Sequence, residues 1–182
     1  MKALDRPAAI RRALRDLVAD RGFHGASMSA VAEAAGVAAG TAYVHYASKD
    51  ELVYATYLEI KQEMGELASA VEGVSGVEER YRRLWLAVYD HLAREPERAR
   101  FLTQLEESPY YATAHQMVIE HGDRLMEIAS GLELAGIIIP LPLEAIYLLT
   151  IGVAVRLVAA GIELDETELD LIIDATLRSV MR

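Results

Sequence analysis

The chain has no cysteine among its 182 residues. That excludes disulfide scaffolds, thiol nucleophiles, Cys-ligated zinc and iron–sulfur clusters together. Proline is scarce, at five, and aromatic residues make up only 7%: nine Tyr, two Phe and one Trp. Long hydrophobic runs are missing too. The most apolar stretch, Ala145 to Val155, ends at Arg156, short of the roughly 20 residues a membrane-spanning helix needs. The first residues, MKALDRPAAIRRALRDLVAD, carry charge every few positions and no apolar signal core. These absences point to a soluble, cytoplasmic protein. Positive charge is short as well: 18 Lys and Arg face 28 Asp and Glu, a net −10. Taken whole, that balance speaks against nucleic acid, whose phosphates need positive potential.

What is present is helical periodicity in a chain that is 53% hydrophobic, enough for a core. No two-residue alternation runs long enough to make a sheet. Glycine and proline divide the sequence into roughly nine helices, an all-α reading. The first starts at Pro7 with Ile10, Leu14, Leu17 and Val18 on one face and stops at Arg21-Gly22. Two short helices follow, Ser27 to Ala35 and Ala38 to Tyr46. A long one opens on Ser48 with Glu51 three residues on, the pattern of a capping box, and runs to Glu72. Ser75 and Glu78 repeat that logic for the next helix. Pro96 opens a helix to Glu107, and Ser108-Pro109 starts one from Tyr110 to Leu132. Gly136 to Pro140 (GIIIP) is too brief for a sheet. Pro142 starts an apolar helix to Ala160, and Asp165 with Glu168 caps the last one.

The segment from Ser27 to Tyr46 fits a helix-turn-helix: two short amphipathic helices, Ala32 small at the crossing and Gly36 in the turn. At residues 22–52, GFHGASMSAVAEAAGVAAGTAYVHYASKDEL, the sequence resembles the TetR family of bacterial transcriptional regulators. Gly22, Ser27, Val31-Ala32, Ala35-Gly36-Val37, Gly40-Thr41, Tyr43, Tyr46, Lys49 and Leu52 carry the resemblance. It implies a homodimer with a DNA-binding domain over residues 1–50 and a ligand-binding and dimerisation domain over 51–182. The function it implies is a repressor that binds a palindromic double-stranded DNA operator and is released by a small-molecule effector. The expected DNA contacts are Ser27, Ser29, Ala39, Gly40, Thr41, Tyr43, His45 and Lys49, with Arg6, Arg11, Arg12 and Arg15 adding positive charge. Tyr46 is expected in the core. The sequence departs from the family where Ala38-Ala39 replace the usual Ser or Thr and polar residue. With no Arg or Lys from Ala34 to Ser48, base reading falls to thymine methyl contacts and DNA shape. The alternative reading is a helical ligand-binding or dimerisation module with weak or lost DNA binding.

In the remainder, Trp85, Tyr89, Phe101, Gln104, Tyr111, His115, Met126 and Tyr147 stand on otherwise apolar faces. Aromatic walls with a few polar groups suit a small-molecule cavity, though each also fits a packed core. Helices over 143–160 and 166–181 are apolar enough to pair with two-fold mates in a homodimer, with Arg156 at the dimer edge or facing the cavity. No P-loop, GxSxG, HExxH or GxGxxG occurs, and His91, His115 and His121 lack metal-ligand spacing. Glu120, His121 and Asp123 read as neighbouring surface positions. No catalytic, metal or cofactor site is expected. Split by region, the charge argument against nucleic acid dissolves: residues 1–50 hold seven basic and five acidic side chains, against 11 and 23 in the rest.

Overall fold

The computed structural model describes residues 5–182, with eleven α-helices among them; residues 1–4, part of the expected N-terminal domain, lie outside the described residues. Helix α1 (Arg6–Gly25) starts on Asp5, whose carboxylate accepts the Ala8 N–H at 3.3 Å. Its Ile10, Leu14 and Val18 stripe is fully buried. The helix kinks at Gly22 and runs on to Gly25, past the expected stop.

Helix α2 (Met28–Ala34) begins on Ser27, whose Oγ accepts the Ala30 N–H at 3.2 Å, and α3 (Ala39–His45) follows. Between them Gly36 takes φ +66°, a left-handed conformation open to glycine at little cost. The Gly36 N–H donates to the Glu33 carbonyl and the Val37 N–H to the Ala32 carbonyl, closing the end of α2 and turning the chain. Val31, Ala32 and Ala42 fill the corner. Helix α4 (Lys49–Ala70) is capped by Ser48, which accepts the Glu51 N–H at 3.1 Å; the Glu51 carboxylate returns to the Ala47 N–H at 2.7 Å. The reciprocal bond is thus displaced by one residue. Helix α5 (Val77–Arg94) has Gly76 at its cap and no side-chain bond there, so the expected Ser75 cap does not form. Helix α6 (Glu97–Glu106) opens after Pro96.

Two of the expected helices are broken, which turns roughly nine into eleven. Residues 110–132 form α7 (Tyr111–His121) and α8 (Arg124–Leu134), separated by Gly122 at φ +89°. Asp123 caps α8 by accepting the Leu125 and Met126 N–H groups. Residues 142–160 form α9 (Leu143–Leu149) and α10 (Ile151–Ala159). At the break the buried Thr150 hydroxyl donates to the Ile146 carbonyl at 2.6 Å. A Cβ on Gly152 would stand 2.9 Å from the Tyr147 carbonyl oxygen, so only glycine lets α10 approach α9 this way. Apolar periodicity runs through both breaks, which is why spacing reads each pair as one helix. Helix α11 (Glu166–Arg178) carries the full Asp165–Glu168 capping box. The GIIIP segment makes one antiparallel bridge, Ile138 to Met181, which ties down the chain end.

Helix α1 lies on α6 and α4, and α4 also packs against α7 and α8. Helix α10 packs on α5 and α6, burying Ile151, Ala154, Val155 and Val158. The all-round apolarity of residues 143–160 is therefore answered in large part within the protomer. What stays outward is Leu148 and Leu149 on α9 and Leu171 on α11. Among the described residues no helix is long and apolar enough to cross a membrane.

Candidate nucleic-acid interface and ligand cavity

The helix-turn-helix corner turns one face of α3 outward. Tyr43 is 54% exposed and Val44 is 82% exposed, with Ala39 and Gly40 open beside them at helical spacing. Ser27 and Ser29 are also exposed, their hydroxyls 3.0 Å apart. Thr41, His45 and Lys49 are half-buried. Val44 escaped the sequence reading; a valine in an amphipathic pattern reads as core, and only the helix's docking angle shows otherwise. Ala38 makes no side-chain cap bond, as its replacement of Ser or Thr requires.

The cations behind this face are turned inward. Arg11 donates to Tyr46 and to Glu59, both at 2.6 Å, and Tyr46 is buried. Arg15 is buried and pairs with Glu95 at 2.6 Å. The Lys49 ammonium donates to the Phe23 carbonyl beyond the kink in α1, and burial lowers its pKa. Arg6 and Arg12 stay exposed. Three of the expected positive groups thus hold the head to itself or to the body.

The eight cavity candidates divide. Tyr111, His115, Met126 and Tyr147 line one cleft of about 200 Å³, together with Tyr57, Lys61, Glu106, Glu144 and Arg156. Trp85 is buried and stacks on Tyr89 with ring centroids 5.5 Å apart. Phe101 packs on Phe23 at 5.8 Å, and Gln104 donates to the Ala19 carbonyl at 3.5 Å, so both belong to the joint between α6 and α1. In these four the apolar face packs as core or joint, and none of them lines this cleft.

Within the cleft, Arg156 bonds Glu106 at 2.8 Å, and burial pushes the Glu106 carboxyl up despite that cation. Lys61 pairs with Asp123 at 2.9 Å, their side chains 8% and 5% exposed, and its ammonium sits 4.9 Å from the Tyr147 ring centre. Asp123 is therefore a buried partner and helix cap, which corrects its reading as a surface position. His115 stacks on Tyr111, its buried Nε2 lying 3.5 Å from Glu144 without hydrogen-bond geometry. Burial pushes the Tyr57, Tyr111 and Tyr147 phenols up, so each remains a neutral hydroxyl. Lys61 was legible in principle: it is a charge inside the Tyr57, Ile60, Met64 stripe of α4. Among the described residues no three His, Asp or Glu side chains gather as metal ligands.

A short-helix corner with a projecting third helix, set on a helical body that holds a cleft, is a helix-turn-helix joined to a larger helical domain. Residues 10–56 match the sequence model of the bacterial regulatory proteins of the tetR family. That match takes in the helix-turn-helix and the start of α4, about a quarter of the chain. The chain is 31% identical over 70 residues to the HTH-type transcriptional regulator UidR of Escherichia coli K12. That match takes in 38% of this chain and 36% of UidR, so the chain aligns with about a third of the curated relative's length. The fold is shared further. A TetR-family regulator from Haemophilus influenzae matches over 98% of this chain and 97% of its own, with TM-score 0.79 and 24% identity. A TetR-family protein from Vibrio parahaemolyticus matches over 98% and 99%, with TM-score 0.66 and 26% identity.

Proposed function

We propose that the chain is a ligand-responsive repressor that binds a palindromic DNA operator as a homodimer and leaves it when a small-molecule effector fills the body. Residues 1–50 are the reading domain and residues 51–182 the regulatory one, acting in the cytoplasm where the chromosome lies. The outer face of α3 carries this reading. A major groove admits one α-helix, and Ala39, Gly40, Tyr43 and Val44 offer it a narrow, uncharged edge. Glycine is a poorer helix former than alanine, yet a Cβ on Gly40, in the first turn of α3, would meet nothing within 4 Å. Packing within the protein gives no reason for that glycine; close approach of an outside backbone does. Ser27, Ser29, Thr41, Tyr43, His45 and Lys49 supply hydrogen bonds at the edge, and Ala39 with Thr41 suits thymine methyl groups.

Leu148, Leu149 and Leu171 support pairing of the 143–160 and 166–181 helices with their two-fold mates, which sets two α3 helices on successive groove faces. Two elements run from cleft to head. Helix α4 carries Lys49 at one end and Tyr57 and Lys61 at the cleft; α6 gives Phe101 and Gln104 to α1, and Leu102 and Glu106 to the cleft. An effector that prefers the arrangement unfit for DNA shifts the population toward it.

The test is fluorescence anisotropy with the DNA upstream of the chain's own gene and with a random-sequence library, between about 50 and 200 mM salt. Affinity should fall steeply with salt, and Tyr43→Phe should weaken binding. Lys49→Ala should reduce the salt slope by about one if its ammonium meets phosphate. Weaker binding at an unchanged slope assigns Lys49 to the Phe23 carbonyl alone. No binding at low salt across the library would overturn the reading and leave a ligand-binding module.

A further inference from the structure

Beside the cleft lies a second chamber of about 100 Å³, between α4, α5, α8 and α9, and Met126 and Tyr147 line both spaces. The two differ in what their polar groups do. In the chamber, the few polar side chains are already bonded to the protein: Arg80 to the Val74 carbonyl at 3.1 Å, Tyr81 to Thr176 at 2.8 Å, Thr150 to Ile146 at 2.6 Å. The rest of its wall is apolar, with Ala68, Val71, Leu84 and Leu132 among its members. In the cleft, the Tyr57, Tyr111 and Tyr147 hydroxyls donate to nothing among the described residues, and His115 Nε2 is buried without a hydrogen bond.

Resting on the effector reading above for its regulatory meaning, we propose that the body binds a carboxylate-headed amphiphile, its head in the Tyr57–Tyr111–His115–Tyr147 cleft and its apolar chain in the chamber behind Met126. The unmet groups are chiefly hydroxyl donors, and a carboxylate is acceptor-only, with about four lone-pair sites. Of the cleft's own carboxylates, Glu106 is engaged by Arg156, while Glu144 is more than half exposed to solvent and lies 3.5 Å from His115 Nε2 without a hydrogen bond to it. A quaternary ammonium head would leave the hydroxyl hydrogens unmet and would face Lys61 and Arg156; the Tyr147 face is already taken by Lys61. Helix α4 measures the chain: from Lys61 at the cleft to Val71 in the chamber its axis rises about 15 Å, a span for a medium-length acyl chain. Met126, unbranched and adaptable, is suited to swing aside between the two spaces.

Isothermal titration calorimetry of the full chain without DNA, using decanoate, hexanoate, decanol and decyltrimethylammonium, tests this. Decanoate should bind at least about tenfold tighter than each of the others. Tyr111→Phe should weaken decanoate at least about tenfold, the loss of one hydrogen bond to a charged acceptor. Ala129→Phe, which fills the chamber, should abolish the advantage of decanoate over hexanoate and leave hexanoate unchanged. Should that variant fail to fold by circular dichroism, the chain-length series on the unaltered protein decides the same point. Equal affinity for decyltrimethylammonium or decanol overturns the carboxylate head, equal affinity for hexanoate overturns the chamber, and no decanoate binding overturns both. DNA binding without decanoate binding defeats this inference alone, and decanoate binding without DNA binding defeats the regulator reading alone.

Discussion

The head, α1 to α3, and the body, α4 to α11, use the same residue types in opposite directions. In the head, an aliphatic and an aromatic side chain, Val44 and Tyr43, face outward while Arg11 and Arg15 turn inward. In the body, Phe101 and Trp85 are fully buried, and the charges Lys61 and Asp123 are buried with them. The head therefore presents chemistry on its surface and keeps its ion pairs as bolts. The body keeps its chemistry inside and leaves an acidic exterior. A substitution inside the body should act first on stability, and one on the outer edge of α3 first on binding.

The sharpest way to break that contrast is Lys61→Ala. It would strand the Asp123 carboxylate in the interior, and removing one member of a buried pair destabilises by about 3–5 kcal/mol. Urea denaturation should show it. A loss below about 1 kcal/mol would mean water reaches the pair, and the body's interior would then resemble the head's surface. Gly152→Ala comes next. Its Cβ would press on the Tyr147 carbonyl at 2.9 Å, and overpacking against backbone costs about 1–3 kcal/mol. An unchanged melting temperature would show that the α9–α10 break relaxes freely.

The joint between the regions should answer to acid. Arg98 bridges Glu63 at 3.0 Å and Glu95 at 2.9 Å, and Glu95 also holds Arg15 of α1. The hydrogen bond from His91, then Arg98, holds Glu63 below the ordinary 4.5. Burial raises Glu95, but Arg15 and Arg98 reverse it to a net depression. Carboxylates with depressed folded pKa values add stability that is complete above their unfolded value and fades as pH falls below 4.5 through the folded one. Glu95 is about one-third exposed, so after solvent screening its share is on the order of 1 kcal/mol. Glu95→Gln should therefore cost stability near pH 6, with the gap to the unaltered protein narrowing as pH falls below 4.5. A gap that stays constant across that range would assign the joint to packing.

Much of the architecture is local and so was legible. Ser27, Ser48 and Asp165 cap where their spacing indicates, and Gly36 turns the helix-turn-helix as expected. The two breaks were not legible, because what fixes them is tertiary: the Lys61–Asp123 pair beside Gly122, and the close approach of Gly152 to Tyr147. The cavity was half legible for a related reason. An aromatic on an apolar face has the same pattern whether it packs, like Phe101, or lines a cleft, like Tyr111. Arg156, which interrupts the apolar run over 143–160, read as lying at the dimer edge or facing the cavity, and it lines the cleft bonded to Glu106, whose own charge reads like any other on its helix.

The smallest expected effect sharpens the comparison most. Gly40 sits inside α3 in helical conformation, and a Cβ there would enter open space. Gly40→Ala should consequently stabilise the folded chain by about 0.4–1 kcal/mol, mainly by restricting the unfolded state. If the outer edge of α3 meets a DNA backbone, the same methyl group stands between the two surfaces and affinity falls. Stability and binding then move in opposite directions from one added carbon, which no packing defect would produce. The measurement pairs a thermal melt with the anisotropy titration. A stabilised variant with undiminished DNA affinity would show that the glycine serves nothing outside the protein, and the binding edge would have to be sought away from Gly40. A destabilised variant would show that this part of α3 is more tightly packed than its open surface implies, and the distinction between an outward-working head and an inward-working body would fail at the residue on which it most depends.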